Sequence, residues 1–282
     1  MPTPVLDQIA IEFAEKNHLT DVVFKGKGNF KETYRATIRE GEFIALKILD
    51  PQKCSLERSQ REIQAMMKCD TPLIAKLYDH GSFSANNGQS YYFCIEEYMG
   101  GGSLAEQISS EALNSNIIRQ YTITLIEALD YLKNTDLVHR DIKPENIMFR
   151  SSSNVPVLVD LGLARDLSES SLTPTWLPRG PGTPYYSAPE QLNNEKHLIN
   201  WRTDQFSLGI IIGICLTGVH PFSEIGMTQG DTVTAVANRG SCTSDFTIKA
   251  SGLGFGFVVK MLDPWPHRRY QSPAELLNEV RR

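Results

Sequence analysis

Three side chains within a six-residue span could work together: Asp141, Lys143 and Asn146. Asp141 can accept a hydroxyl proton, Lys143 can neutralise a phosphate in transfer, and Asn146 offers an amide oxygen to a hard cation. Converging on one small volume, they suit phosphoryl transfer. They lie in residues 137–149, a polar insert between an apolar helical pattern ending near Leu132 and the apolar run Ile147, Met148 and Phe149. That pattern marks a loop held between two buried elements, and such loops tend to carry chemistry.

Other positions complement it. Residues 43–49 form an apolar strand interrupted by one cation, Lys47. Burying an ammonium without a partner is costly, so Lys47 calls for an anionic neighbour. Asp160 ends a second apolar strand, residues 155–159, and is followed by Leu161 and Gly162, a placement suited to holding a metal ion. Gly26 and Gly28 stand between β-forming runs at 22–24 and 35–38, as in a hairpin whose backbone approaches a ligand closely.

The string His-Arg-Asp-Ile-Lys-Pro-Glu-Asn at 139–146 resembles the catalytic loop of the eukaryotic-type protein kinases, in the Ser/Thr branch. The resemblance runs from about residue 22 to residue 281, with its motifs in family order. It implies an α+β, bilobal protein-kinase-like fold: a small five-stranded antiparallel sheet with one main helix, then a mostly α-helical lobe. It further implies ATP and Mg²⁺, with Asp141 as base, Lys143 stabilising charge, and Asn146 and Asp160 holding the metal. Lys47 would meet the α- and β-phosphates and pair with a helix glutamate. Glu62 is chosen over Glu57 because the turn Pro72, Leu73, Ile74 follows ten residues later. Gly26 and Gly28 would cover the phosphates, Ala45 and Met148 would contact the nucleotide, and the backbone at Glu97 and Met99 would bond the adenine edge. Asp204 is expected to bond the catalytic-loop backbone, and Glu190 to pair with Arg269. A phosphate on Ser168, Ser170, Ser171, Thr173 or Thr175 would pair with Arg140 and order the segment before Ala188, Pro189 and Glu190.

The chain departs from the family pattern at four places. Lys31 replaces the third glycine of the loop, Thr33 the valine, and Leu161 the phenylalanine of Asp-Phe-Gly. Glu96 occupies a position that is normally apolar or threonine. Either it pairs with a nearby cation such as Lys47, or the register differs by one residue.

The elements that must position these groups are legible from periodicity. Val5, Ile9, Phe13 and Ala14 predict a helix over 4–17, and Ile63, Met66 and Met67 an inward stripe on a helix over 55–67. Ile118, Tyr121, Leu125, Leu129 and Leu132 define the buried face of a helix over 116–133. The longest apolar run, 206–219, is shorter than a membrane span and reads as a buried helix. The expected organisation is an N-terminal helical extension at 1–21, a first lobe at 22–99 and a second at 100–282, with glycines 100–102 as a hinge.

Composition narrows the partners. A formal charge of −5 gives no electrostatic case for nucleic acid. Five cysteines without a Cys-x-x-Cys indicate neither a disulfide framework nor a zinc knuckle, and suit a reducing, cytoplasmic setting. The first twenty residues are unlike a secretory signal. The expected activity is transfer of the ATP γ-phosphoryl group to Ser/Thr hydroxyls of protein substrates. The rival readings are a pseudokinase scaffold and a small-molecule phosphotransferase of related fold.

Overall fold

Strand β3 (Glu42–Leu49) is the middle of a five-stranded antiparallel sheet, and both of its faces are covered. Its partners are β1 (Thr20–Lys27), β2 (Lys31–Arg39), β4 (Leu77–Ser84) and β5 (Ser90–Glu97), in the order β1-β2-β3-β5-β4. The computed structural model describes residues 6–28, 31–51, 63–110, 113–161, 165–166 and 183–282, with 165–166 described by their backbone alone. Glu57, Glu62, Gly162 and the five candidate phosphorylation sites lie outside these residues. The chain divides into two units, Met1–Gly100 and Gly101–Arg282.

In the first unit the period of two sorts β3 into two sets. Ile44, Leu46 and Ile48 join a cluster with Tyr34, Ala36, Tyr91 and Phe93, and this face is closed by helix α1 (Leu6–Lys16) through Leu6, Ile9, Ala10 and Phe13. On the other face, Leu49 packs with Cys94 and with Ile63 of the helical residues 63–67. Being covered on both faces from Ile44 onward is why 44–49 reads as a near-continuous apolar run, while Phe43 at its start is exposed. Lys47 is the one ion on that run.

The inward stripe expected on 63–67 is corrected at its end. Met67 is 67% exposed, whereas Ile63, Ala65 and Met66 are buried. The helix ends at Met67 and the chain turns at Lys68, so among the described residues Met67 falls past the covered part of the stripe.

A polar network ties α1 to the glycine hairpin. Tyr34 Oη lies 2.9 Å from Asp7 Oδ1 on α1 and 2.7 Å from Glu32 Oε2. Glu32 in turn accepts from Lys27 Nζ at 2.6 Å, between the two glycines. Burial and the two carboxylates push the Tyr34 phenol far above its ordinary value.

The second unit is mainly helical. Ser103 and Glu106 form a reciprocal cap on α2 (Leu104–Ser110). Asn114 caps α3 (Ser115–Asn134), which buries Ile118, Leu125, Ile126, Leu129 and Leu132. Strand β6 (Leu137–Val138) pairs with Arg165–Asp166, and β7 (Ile147–Phe149) pairs with β8 (Pro156–Leu158). After the short helix α4 (Pro189–Leu192) comes α5 (Trp201–Thr217), buried along most of its length and stopped by Gly218 at φ 73°. The helices α6 (Gln229–Ala237), α7 (Ser244–Gly252), α8 (Phe257–Met261) and α9 (Pro273–Val280) complete the unit. Glu190 and Arg269 form the expected pair, two parallel bonds of 2.8 and 2.9 Å, with both side chains fully buried. Among the described residues no helix is long and apolar enough to cross a membrane. The expected α+β kinase-like architecture is met.

Phe13 is the test of the α1 contact. It is 1% exposed, with its ring 5.0 Å from that of Phe83 and 4.5 Å from that of Phe93. Phe13→Ala should lower the unfolding free energy by about 3–5 kcal/mol in urea denaturation. A change within about 0.5 kcal/mol, as at a surface site, would show that α1 does not close this face.

Candidate active site

The loop carrying Asp141 is held from below by one buried carboxylate. Asp204, in the first turn of α5, accepts from the backbone N–H of His139 at 2.8 Å through Oδ2 and from that of Arg140 at 2.8 Å through Oδ1. Arg140 stands at φ 68°, a left-handed conformation that disfavours a side chain. Asp204 fixes its N–H and the Gln191 amide donates to its carbonyl, so the strained residue is clamped at both ends. Burial pushes the Asp204 carboxyl above its ordinary value, opposed by His139 and by the two backbone donors.

His139 couples this loop to the strand ahead of Asp160. Its Nδ1 accepts from the Asp141 N–H at 3.3 Å, which leaves Nε2 to donate to Val159 O at 3.1 Å. The Val159 N–H donates to Asn146 O at 3.0 Å. Asp160 follows, half-buried and at φ 66°.

Four donors converge on the Asp141 carboxylate. Lys143 Nζ and Asn146 Nδ2 donate to Oδ2 at 2.9 and 3.2 Å, and the Thr183 N–H and hydroxyl donate to Oδ1 at 3.0 and 2.9 Å. Lys143 also donates to the Thr183 hydroxyl oxygen at 3.2 Å. A hydroxyl therefore sits between a carboxylate that can take its proton and an ammonium that can stabilise the resulting charge. Local spacing in the sequence gives Thr183 no role at the site. Its role follows from the short 3₁₀ turn Pro184–Tyr186, which sets Thr183 in extended backbone facing the loop.

The metal candidates fit a hard ion. Asn146 spends Nδ2 on Asp141, including its carbonyl at 2.9 Å, and Oδ1 makes no hydrogen bond among the described residues. An amide oxygen with the Asp160 carboxylate is the donor set magnesium takes, the ion keeping several waters. Met148 is half-buried in β7, opposite Val157. Beside it, Gly101 N–H donates to Phe149 O at 2.9 Å. A Cβ on Gly101 would lie 2.6 Å from Arg150 O, so only glycine permits this approach.

In the first unit the two alternatives for Glu96 are resolved by register. Lys47 stands opposite Cys94 and Ala45 opposite Glu96, so Lys47 and Glu96 are diagonal neighbours on one sheet face. Lys47 Nζ and Glu96 Oε2 are 2.6 Å apart, with side chains 8% and 2% exposed. Thr33 faces Lys47 from β2. Glu62, the expected partner, is outside the described residues. Gly26 lies at a register shift in β1 with open space beside it, and Gly28 N–H closes the hairpin on Lys31 O at 2.8 Å. The Glu97 N–H is spent on Lys76 O at 2.8 Å, whereas the Met99 backbone makes no hydrogen bond among the described residues.

A family model described as the protein kinase domain matches residues 20–279. The chain is 33% identical over 260 residues to "CBL-interacting serine/threonine-protein kinase 3" of Arabidopsis thaliana, covering 90% of this chain and 56% of that protein. It is 30% identical over 253 residues to "CBL-interacting protein kinase 26" of Oryza sativa subsp. japonica, covering 88% and 49%. It is 32% identical over 222 residues to "Probable serine/threonine-protein kinase PknB" of Bifidobacterium longum, covering 75% and 31%. The chain thus spans about half or less of most of these curated relatives.

His220 supports the segment that carries Thr183. Its Nε2 bonds Tyr185 O at 3.0 Å and its Nδ1 accepts from Phe222 N–H at 3.3 Å, an arrangement open only to the neutral ring. Burial pushes its pKa down from 6.5 to about 4. A pKa lower in the fold than in the unfolded chain leaves stability complete above pH 6.5, and stability is lost as pH falls toward 4. Unfolding free energy should therefore drop by about 2 kcal/mol between pH 7 and pH 5 from this residue alone. His220→Gln should remove that part of the slope in urea titrations. An unaltered slope would mean that His220 is not the group responsible.

Proposed function

The chain belongs to the protein kinase domain family, and from that premise we propose that it transfers the γ-phosphoryl group of ATP to serine and threonine hydroxyls of protein substrates. The observation that carries this reading is the Thr183 hydroxyl, received by Asp141 at 2.9 Å and contacted by Lys143 at 3.2 Å. A substrate hydroxyl in an equivalent position attacks the γ-phosphorus. The new oxygen–phosphorus bond forms as the bridge to the β-phosphate breaks, its electron pair leaving with ADP and the hydroxyl proton passing to Asp141. Lys143 stabilises the charge on the transferring group. Lys47 holds the α- and β-phosphates, Gly26 and Gly28 bring backbone close to them, and Ala45, Met148 and the backbone of Glu97 and Met99 hold the base.

Magnesium, held by Asn146 and Asp160, would supply charge neutralisation at the phosphates. Phosphorylation at Ser168, Ser170, Ser171, Thr173 or Thr175 would set a dianion against Arg140 and act as a regulatory switch. Five cysteines with no Cys-x-x-Cys suit a reducing, cytoplasmic setting.

Incubating the full chain with radiolabelled ATP, Mg²⁺ and a Ser/Thr peptide library should label peptide hydroxyls. Asp141→Ala should lower turnover by about 10²- to 10⁴-fold while ATP still binds. Equal turnover in the variant would remove Asp141 as the base, and absence of peptide labelling by the unaltered chain would sink the activity itself.

A further inference from the structure

The buried pair Lys47–Glu96 is incompletely satisfied in a way that assigns Glu96 a task. Nζ has three N–H bonds, and only the one to Glu96 Oε2, at 2.6 Å, is used among the described residues. Glu96 is 2% exposed, and its second oxygen, Oε1, is buried with no donor among the described residues. Among the described residues each ion thus has only the other for compensation, with both side chains largely withdrawn from water. One bond anchors the ammonium and leaves its remaining donors to meet an anion. A lysine held by several acceptors would have none to offer.

The strand register makes the anchor directional. Lys47 faces Cys94 and Thr33 across β5 and β2, both too short to orient a four-carbon chain ending in an ammonium. Glu96, one pleat along β5 and opposite Ala45, reaches Nζ diagonally over that small side chain. Ala45 is 8% exposed and leaves the room that a larger residue would fill.

We propose that Glu96 is the positioning residue for Lys47, its carboxylate fixing the ammonium so that the free N–H bonds receive the phosphates of the bound nucleotide. This rests on the nucleotide-dependent reading above and adds a residue to it. Glu96 acts through Lys47, so its removal costs activity only while Lys47 is present.

A double-mutant cycle on the full chain tests this, with Lys47→Met, Glu96→Gln and the double variant. Two readouts are taken: affinity for a fluorescent ATP analogue, and kcat/KM for ATP on one fixed peptide. Glu96→Gln should weaken both by about tenfold or more, and the double variant should fall within about twofold of Lys47→Met alone. Glu96→Asp keeps the charge and should retain more affinity than Glu96→Gln, which keeps the size. Losses that multiply in the double variant, an unchanged Glu96→Gln, or the reverse order of Asp and Gln would each overturn the proposal. Thermal melts of every variant identify one that fails to fold, and the Asp variant then carries the comparison. If the chain phosphorylates no peptide, the proposed activity fails while the binding arm still decides the role of Glu96.

Discussion

The contact on which the catalytic geometry depends is the Asp204 carboxylate beneath the backbone of His139 and Arg140. It spans 65 residues of sequence and delivers one oxygen to each of two successive N–H groups. Without it the Arg140 N–H loses the buried acceptor that favours its left-handed conformation, and the chain would relax toward the ordinary regions. Asp141 is the next residue, so a change in those two dihedrals swings its carboxylate away from Lys143, Asn146 and Thr183. A buried acid is costly, and the raised pKa of Asp204 records that cost. Placing it in the first turn of α5, a helix buried along most of its length, keeps the anchor stationary.

Two buried ion pairs show the same chemistry put to different ends. Glu190 and Arg269 meet in a bidentate pair, with Thr203 and the carbonyls of Asp263 and Arg202 taking up further capacity. Such a saturated pair has little left to offer a ligand and serves as a fixed tie between α4 and the chain near Tyr270. Among the described residues Lys47 and Glu96 form one bond with each other and leave the Glu96 Oε1 without a donor. The contrast separates a structural tie from a group held ready for something that binds.

What could be read in the sequence was whatever rests on local spacing. Asp141, Lys143 and Asn146 were legible because six residues of loop cannot carry them far apart, and Lys47 because a lone cation in an apolar strand demands an explanation. The sequence also showed Glu96 as out of place, but choosing between its two readings needed the pairing of β3 with β5. The helix α1 was visible as a period, whereas its role was not, since Phe13 acquires meaning only against Phe83 and Phe93 some seventy to eighty residues away. Met67 was misread because helical periodicity cannot say where the covering partner ends. Thr183 escaped as a site residue because its contact with Asp141 crosses 42 positions.

The most direct test of this account is the rate of the chemical step when the anchor is removed. In a rapid-quench measurement with saturating ATP and peptide, Asp204→Ala should slow phosphoryl transfer by about 100-fold or more, the effect expected of a displacement near 1 Å at the reacting groups. ATP affinity should stay within about twofold of the unaltered chain, because Asp204 is far in sequence and function from Lys47 and Glu96. A transfer rate left unchanged in a folded Asp204→Ala protein would contradict the claim that this carboxylate sets the geometry of Asp141.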